Sequence, residues 1–242
     1  MNNKSSIHAA SLIGGVASTG FSIGLLAAPP LTSDDARTLD PGGCQFEVEQ
    51  RRFKRQTELD IVPVCNLFGD TELAVGKLRV AAGAASRIDS VMVSIKKVLM
   101  PGGIADWGVA FNAATVRTTG NASAIRQNLV TAIFSRPITA NGDTLLHLNA
   151  GWINDRAAAI GVRRNRRTWA AAVERDVSAR WTLVAEAYGQ QSQPDTAQLG
   201  LRWWAVPGYM QFTSSLGTQR GLGREGRWLS IGVRFETAGA PQ

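Results

Sequence analysis

The stretch "RWLSIGVRF", residues 227–235, alternates Leu229, Ile231, Val233 and Phe235 with Trp228, Ser230, Gly232 and Arg234. A period of two is the mark of a β-strand, whose successive side chains point to opposite faces. One face is therefore oily and the other small, polar or charged, and the same division recurs along the chain. Val91, Val93 and Ile95 alternate with Ser90, Met92, Ser94 and Lys96, and Val109, Phe111 and Ala113 with Gly108, Ala110 and Asn112. Leu146, Leu148, Ala150 and Trp152 alternate with His147, Asn149 and Gly151, and Leu199, Leu201 and Trp203 with Gln198, Gly200 and Arg202. Twelve segments of this kind are expected, at about 44–53, 57–65, 71–81, 87–98, 105–116, 127–136, 143–153, 166–176, 181–189, 196–205, 209–217 and 227–235. Each is close to the roughly 9–11 residues with which a tilted strand crosses a bilayer.

Which face meets solvent decides the class. A soluble sandwich turns its oily face inward and leaves a wet face rich in Lys and Glu. Here the second face is rich in Gly, Ala, Ser, Thr, Asn and Gln with sparse charges, a composition suited to a confined polar lumen. The oily face is then left to lipid. The expectation is an all-β, closed antiparallel transmembrane β-barrel of about twelve strands, with no exposed edge for lipid to leave unsatisfied. An even count starting from the periplasm returns both termini there. Trp107, Trp152, Trp169, Trp203 and Phe235 fall near strand ends, as in the aromatic girdles of such barrels. A secreted β-sandwich with those aromatics in its core is the alternative. Two strands resist the pattern: the third and sixth have mixed parity, and Pro63 forfeits a ladder hydrogen bond in the second.

Outside these segments the domain reading is simple. Residues 1–28 carry an early Lys4 and a Gly- and Ser-broken apolar stretch ending in Leu25-Leu26-Ala27-Ala28, the layout of a secretory signal peptide. Residues 29–43, "PPLTSDDARTLDPGG", read as an extended periplasmic lead-in. The barrel then runs from 44 to 235, and 236–242 form a short tail. Cys44 and Cys65 bracket a hairpin centred on Lys54 and Arg55, which brings them opposite each other on one face. Directly opposed strand residues lie within disulfide reach, and such a bridge suits the periplasm. Two unpaired buried thiols are the alternative.

Charge supplies the candidate sites. If the polar parity faces the lumen, Glu47, Glu49, Glu58 and Asp60 of the first hairpin point inward, joined by Glu174, Glu186, Arg202 and Arg234 from later strands. The turn at "VSAR" sets Glu174 near the level of Glu186. Close carboxylates repel unless a cation intervenes, so the group reads either as a salt-bridge lattice stiffening the lumen or as a solute-orienting constriction. The net charge of +7 has its own address. Arg163, Arg164, Arg166 and Arg167 fall in one expected outward loop and Arg220 and Arg224 in another, forming a basic rim suited to phosphorylated lipopolysaccharide or anionic solutes. No helix, aromatic platform or zinc motif accompanies these cations, which disfavours nucleic acid. No cluster has the spacing of a metal site, no cofactor motif is credible, and "GLGREG" (221–226) precedes a strand where a dinucleotide loop needs a helix. His147, the single histidine after the signal segment, faces the lumen, whereas a barrel lipid hydrolase would present it to lipid.

"PLTSDDARTLDPGGCQFEVE", "WAAAVERDVSARWTLVAEAYGQ", "QLGLRWW" and the closing "GVRF" resemble the proteobacterial outer-membrane proteins grouped as the meta-pathway phenol-degradation family of transporters. The likeness covers residues from about 30 to 235. It implies a barrel in the Gram-negative outer membrane, in contact with its lipid and lipopolysaccharide, assembled by the barrel-assembly machinery, and passing a small solute, aromatic or weakly acidic. One departure is that "ETAGAPQ" follows Phe235, where many such barrels end on the terminal aromatic. The alternative is a non-conducting structural barrel whose lumen is filled by its own side chains.

Overall fold

The computed structural model describes residues 32–82, 86–102, 107–120, 125–156 and 163–237. The expected signal peptide and the last five tail residues lie outside them. Twelve strands follow in sequence: β1 (Cys44–Phe53), β2 (Gln56–Asn66), β3 (Thr71–Ala82), β4 (Ser86–Met100), β5 (Gly108–Gly120), β6 (Ile125–Pro137), β7 (Thr144–Asp155), β8 (Asn165–Ser178), β9 (Trp181–Gln190), β10 (Thr196–Val206), β11 (Met210–Gln219) and β12 (Arg227–Glu236). Every strand pairs antiparallel with its sequence neighbours, and β1 pairs with β12 from Gln45↔Glu236 to Phe53↔Trp228, closing the ring. Closure matters because an unpaired backbone group in hydrocarbon costs several kcal/mol. Beyond β12, the Thr237 amide donates to the Cys44 carbonyl at 2.8 Å, so the tail adds one more rung.

The two faces fall as the alternation requires. Val75, Val93, Ile95, Val130, Leu199, Leu216 and Ile231 lie exposed on the outer wall, Leu199 at 68% and Leu216 at 64%. So large an apolar belt on a folded surface is covered by lipid rather than water. The opposite parity, with Ser94, Asn112, Thr131, Asn149, Gln198, Thr213 and Ser230, is buried inside.

The strands that resisted a parity reading have physical reasons. In β6 the inward Leu129 and Ile133 are as apolar as the outward Val130 and Phe134, because Leu129 packs with Met92, Ala114, Val116 and Ile153 inside the barrel. In β3 the outward positions near the loops are Lys77 and Arg79, while Val80 is buried inside. Pro63 sits where the β2–β3 ladder lapses between Ile61↔Lys77 and Val64↔Ala74, so its missing N–H breaks no rung there.

One end of the barrel carries the start of β1, the end of β12 and the short turns 179–180 and 207–209. The other carries the 156–164 and 220–226 connections, the latter containing a 3₁₀ turn at Gly223–Gly226. At this second end Lys54 and Arg55 both reach Glu225, at 2.5 and 3.4 Å. The hydrogen bond from Lys54 holds the Glu225 carboxyl below its usual range, so the tie survives acidification until the pH falls through that lowered value. Cys44 and Cys65 are directly opposed and disulfide-bonded.

Near the loop end the inward Trp228 lies across Gly217 of β11, with Phe53 5.4 Å away on its other side. A Cβ on Gly217 would meet the Trp228 ring at 2.0 Å, so only glycine admits the indole. Gly217→Ala is therefore expected to destabilise the barrel by about 1–3 kcal/mol, the usual overpacking penalty. A lowered melting temperature in the gel shift of heated against unheated protein measures it.

Candidate functional site

The lead-in does not lie outside the wall. Residues 32–39 run inside the barrel as an extended strap that crosses the inner face from β2 and β3 to β9. Leu39 packs against Val62, Val64 and Ala74, and Ala36 against Val98, Ala110 and Ile133. An extended segment has no internal ladder, so its backbone groups need partners from the wall. The Leu39 amide donates to Glu72 at 2.7 Å, the Ala36 amide to the Ser135 hydroxyl at 2.9 Å, and the Asp34 amide to Asn149 at 2.7 Å. Asn149 returns a bond to the Asp34 carbonyl, also at 2.9 Å. At the top of the strap Glu186 accepts the Thr32 and Ser33 amides and the Gln198 side-chain amide. Three N–H donors thus hold a buried carboxylate that has no ion-pair partner among the described residues, each standing in for a bond to water that burial removes.

All eight expected lumenal charges do point inward. Arg202 meets Glu174 at 2.8 Å, and Glu174 also lies 3.8 Å from His147 Nε2. Glu186, expected beside Glu174, instead serves the strap. It pairs in register with Ala172, one inward position from Glu174, and Arg202 stands opposite Thr182. Arg234 reaches Glu236 at 2.6 Å and Glu47 at 3.9 Å. In the first hairpin, Arg51 stands 3.4 Å from Glu49 and 3.5 Å from Glu58, with Asp60 opposite Glu49.

Residues outside the expected site set complete the lumen. Arg51 shares the inward parity of Glu47 and Glu49, a signal that was available. Lys96 meets Glu72 at 2.9 Å and Asp34 at 3.1 Å, and Asp34 could not be placed because its segment has no periodicity. Trp204 is turned inward under the Arg234 guanidinium at 5.3 Å.

One further expectation is corrected. Arg166 is buried and paired with Asp155 at 3.4 Å, so it belongs to the lumen and not to the rim, while Arg163, Arg164, Arg167, Arg220 and Arg224 are exposed. The parity of β8 decides this, since inward Arg166 and outward Arg167 are neighbours. Trp107, Trp152 and Trp169 are exposed, and Trp203 stacks between Trp181 and Phe212 at 5.8 and 5.7 Å, with Phe235 edge-on to Tyr209.

A cavity of about 540 Å³ remains at the end where β1 begins and β12 finishes. Its wall includes Asp34, Asp35, Asp40, Glu72, Asp143, Glu174, Asp176 and Glu236 against Arg37, Lys96, Arg202 and Arg234, so carboxylates outnumber cations by eight to four. Between cavity and wall, His147 Nδ1 lies 2.8 Å from the Ser135 hydroxyl. That hydroxyl also accepts the Ala36 amide, which joins the pair to the strap.

Fold and site together define a twelve-stranded membrane barrel, closed by β1 on β12 and narrowed from within by its own N-terminal segment. Similar solved structures are outer-membrane porins. A KdgM porin in complex with disordered oligogalacturonate is 10% identical, with a TM-score of 0.60 over 79% of this chain and 98% of that one. The NanC porin is 13% identical, with a TM-score of 0.56 over the same shares. No curated protein sequence matches. The chain belongs to the family described as uncharacterised conserved protein UCP029691, whose model matches residues 24–236 and so spans the strap as well as the wall.

Because Glu186 anchors the strap, Glu186→Ala leaves three donors without their acceptor. The expected loss in docking is about 2 kcal/mol, or roughly thirtyfold faster amide exchange. Hydrogen exchange read by mass spectrometry should place that acceleration in residues 32–36, with the wall strands still protected.

Proposed function

We propose that the protein is an outer-membrane barrel through which small solutes pass passively, along a polar, charge-lined lumen whose narrowest level is set by the strap. The observation that carries this reading is the cavity of about 540 Å³ walled by polar and charged groups, inside a barrel whose outer face is apolar. Its fold is shared with porins, one of which has been observed with oligogalacturonate. In this reading the loops face outward and the termini the periplasm. The charged pairs do more than brace the wall, because eight carboxylates against four cations select among solutes that enter. The likeness to the meta-pathway phenol-degradation proteins supports a small aromatic or weakly acidic solute, and Trp204 beside Arg234 offers such a solute a ring face and a guanidinium. The carboxylate excess disfavours a polyanion. Ser135, His147 and Glu174 act here as a bracket for the strap, and the reading involves no covalent chemistry.

A non-conducting barrel is favoured by a different observation: the strap fills the middle of the lumen, and Met92, Val116, Leu129 and Ile153 pack together inside it towards the loops. Planar-bilayer recording separates the two. The full chain is expected to give small, cation-selective unitary steps, and Glu186→Ala larger ones. Glu174→Ala should lower the cation preference. Verified insertion without steps in both wild type and Glu186→Ala sinks the conduit and leaves the filled barrel.

A further inference from the structure

The outer wall carries a row of cations that the lumen does not use. Arg117 of β5 stands directly opposite Arg126 of β6, and the Arg156 amide, at the end of β7, donates to the Arg126 carbonyl at 2.8 Å. Three guanidinium-bearing residues therefore lie side by side across three strands, and all three are exposed. Directly opposed strand residues have Cα atoms about 4.5–5.5 Å apart. Like charges at that spacing repel, the more so at a lipid boundary where water screens them poorly.

Three acids at this end are engaged by other cations. Asp89 takes Arg79 and Arg87, Glu225 takes Lys54 and Arg55, and Asp155 turns inward to Arg166. Arg117, Arg126 and Arg156 have no ion-pair partner among the described residues. The connections beside them, "NASA" at 121–124 and "AAAIGV" at 157–162, contain no Asp or Glu to supply one.

The rows beneath have the order of a lipid molecule. One step towards the bilayer the same strands present Thr115, Asn128, Asn154 and Asn165, with Asn154 donating to Asn165 at 2.7 Å. One step further come Ala113, Val130 and Trp152, with Arg167 opposite Trp152. Cations, then amides, then an apolar wall with an indole match a headgroup bearing several anions, its polar linkage and its acyl chains.

We propose that the outward face of β5–β8 at the loop end is a binding site for a lipid whose headgroup carries more than one phosphate, held by Arg117, Arg126 and Arg156. With the loops outward, lipopolysaccharide is the lipid of that chemistry which reaches the site. A bridging phosphate converts the repulsion of the row into charge-assisted hydrogen bonds, for which the guanidinium fork is well shaped. The site rests on the membrane-spanning fold and not on solute passage, so failure of the conductance reading leaves it intact.

Native mass spectrometry of the full chain refolded in detergent tests it, with three probes: diphosphoryl lipid A, the same lipid with its phosphates removed, and free pyrophosphate. Wild type is expected to retain the diphosphoryl lipid, and R117Q/R126Q/R156Q to retain it at least about tenfold less, the worth of one charge-assisted contact. R175Q/R180Q, at the opposite end, should bind as wild type does. Equal retention by wild type and the triple variant, or equal retention of the dephosphorylated lipid, overturns the proposal. Pyrophosphate binding as tight as the lipid's would make this a free-phosphate site and also overturns it. Without lipid the triple variant should be at least as heat-stable as wild type, because it removes repulsion. A less stable variant would mean that the arginines brace the wall, contrary to the proposal.

Discussion

The pairing of β1 with β12 is the constraint from which the rest follows. A sheet left open in hydrocarbon would expose two edges of unsatisfied amides and carbonyls, and no solvent there could repair them. Closing the ring removes both edges at once. It also inverts the usual division of a protein: the belt of the wall that faces lipid is apolar, and the polar and charged groups at that depth are enclosed. The interior must then satisfy itself. Glu174 with Arg202, Arg51 between Glu49 and Glu58, and Lys96 among Glu72 and Asp34 are the local answers.

Glu186 gives a different answer, and a more consequential one. With no ion-pair partner among the described residues, it recruits backbone N–H groups from a segment about 150 residues earlier in the chain. Satisfaction of the wall and occupation of the lumen are therefore one event. The charges that line the lumen here also fasten the segment that narrows it.

The alternation of oily and polar residues made the twelve strands legible, each to within a few residues, because period two is imposed by the backbone and not by tertiary context. The same parity placed eight lumenal charges and the Cys44–Cys65 pair. What stayed hidden was whatever lacks a period. The strap is extended, short and polar, and the wall groups that take its amides lie 33–154 residues away, so nothing local distinguishes it from a free leader. The mixed parity of β6 was its indirect trace: Ile133 is apolar and inward because Ala36 needs a surface to pack on. Arg166 was misplaced for a simpler reason. A run of basic residues looks like a loop until the strand beneath it assigns each one a side.

The strap also restricts the order in which the molecule can come together. It is fixed to β1 through Gly43, and from inside the ring it is bonded to β3, β6, β7 and β9. Once β12 has joined β1 there is no seam through which such a segment can enter sideways, so only end-on threading would remain. Assembly in which the hairpins wrap a strap already lying against β3 avoids that threading, and makes the N-terminal residues a former around which the later strands are laid. The final closure then requires the first and last strands to meet around an occupied interior.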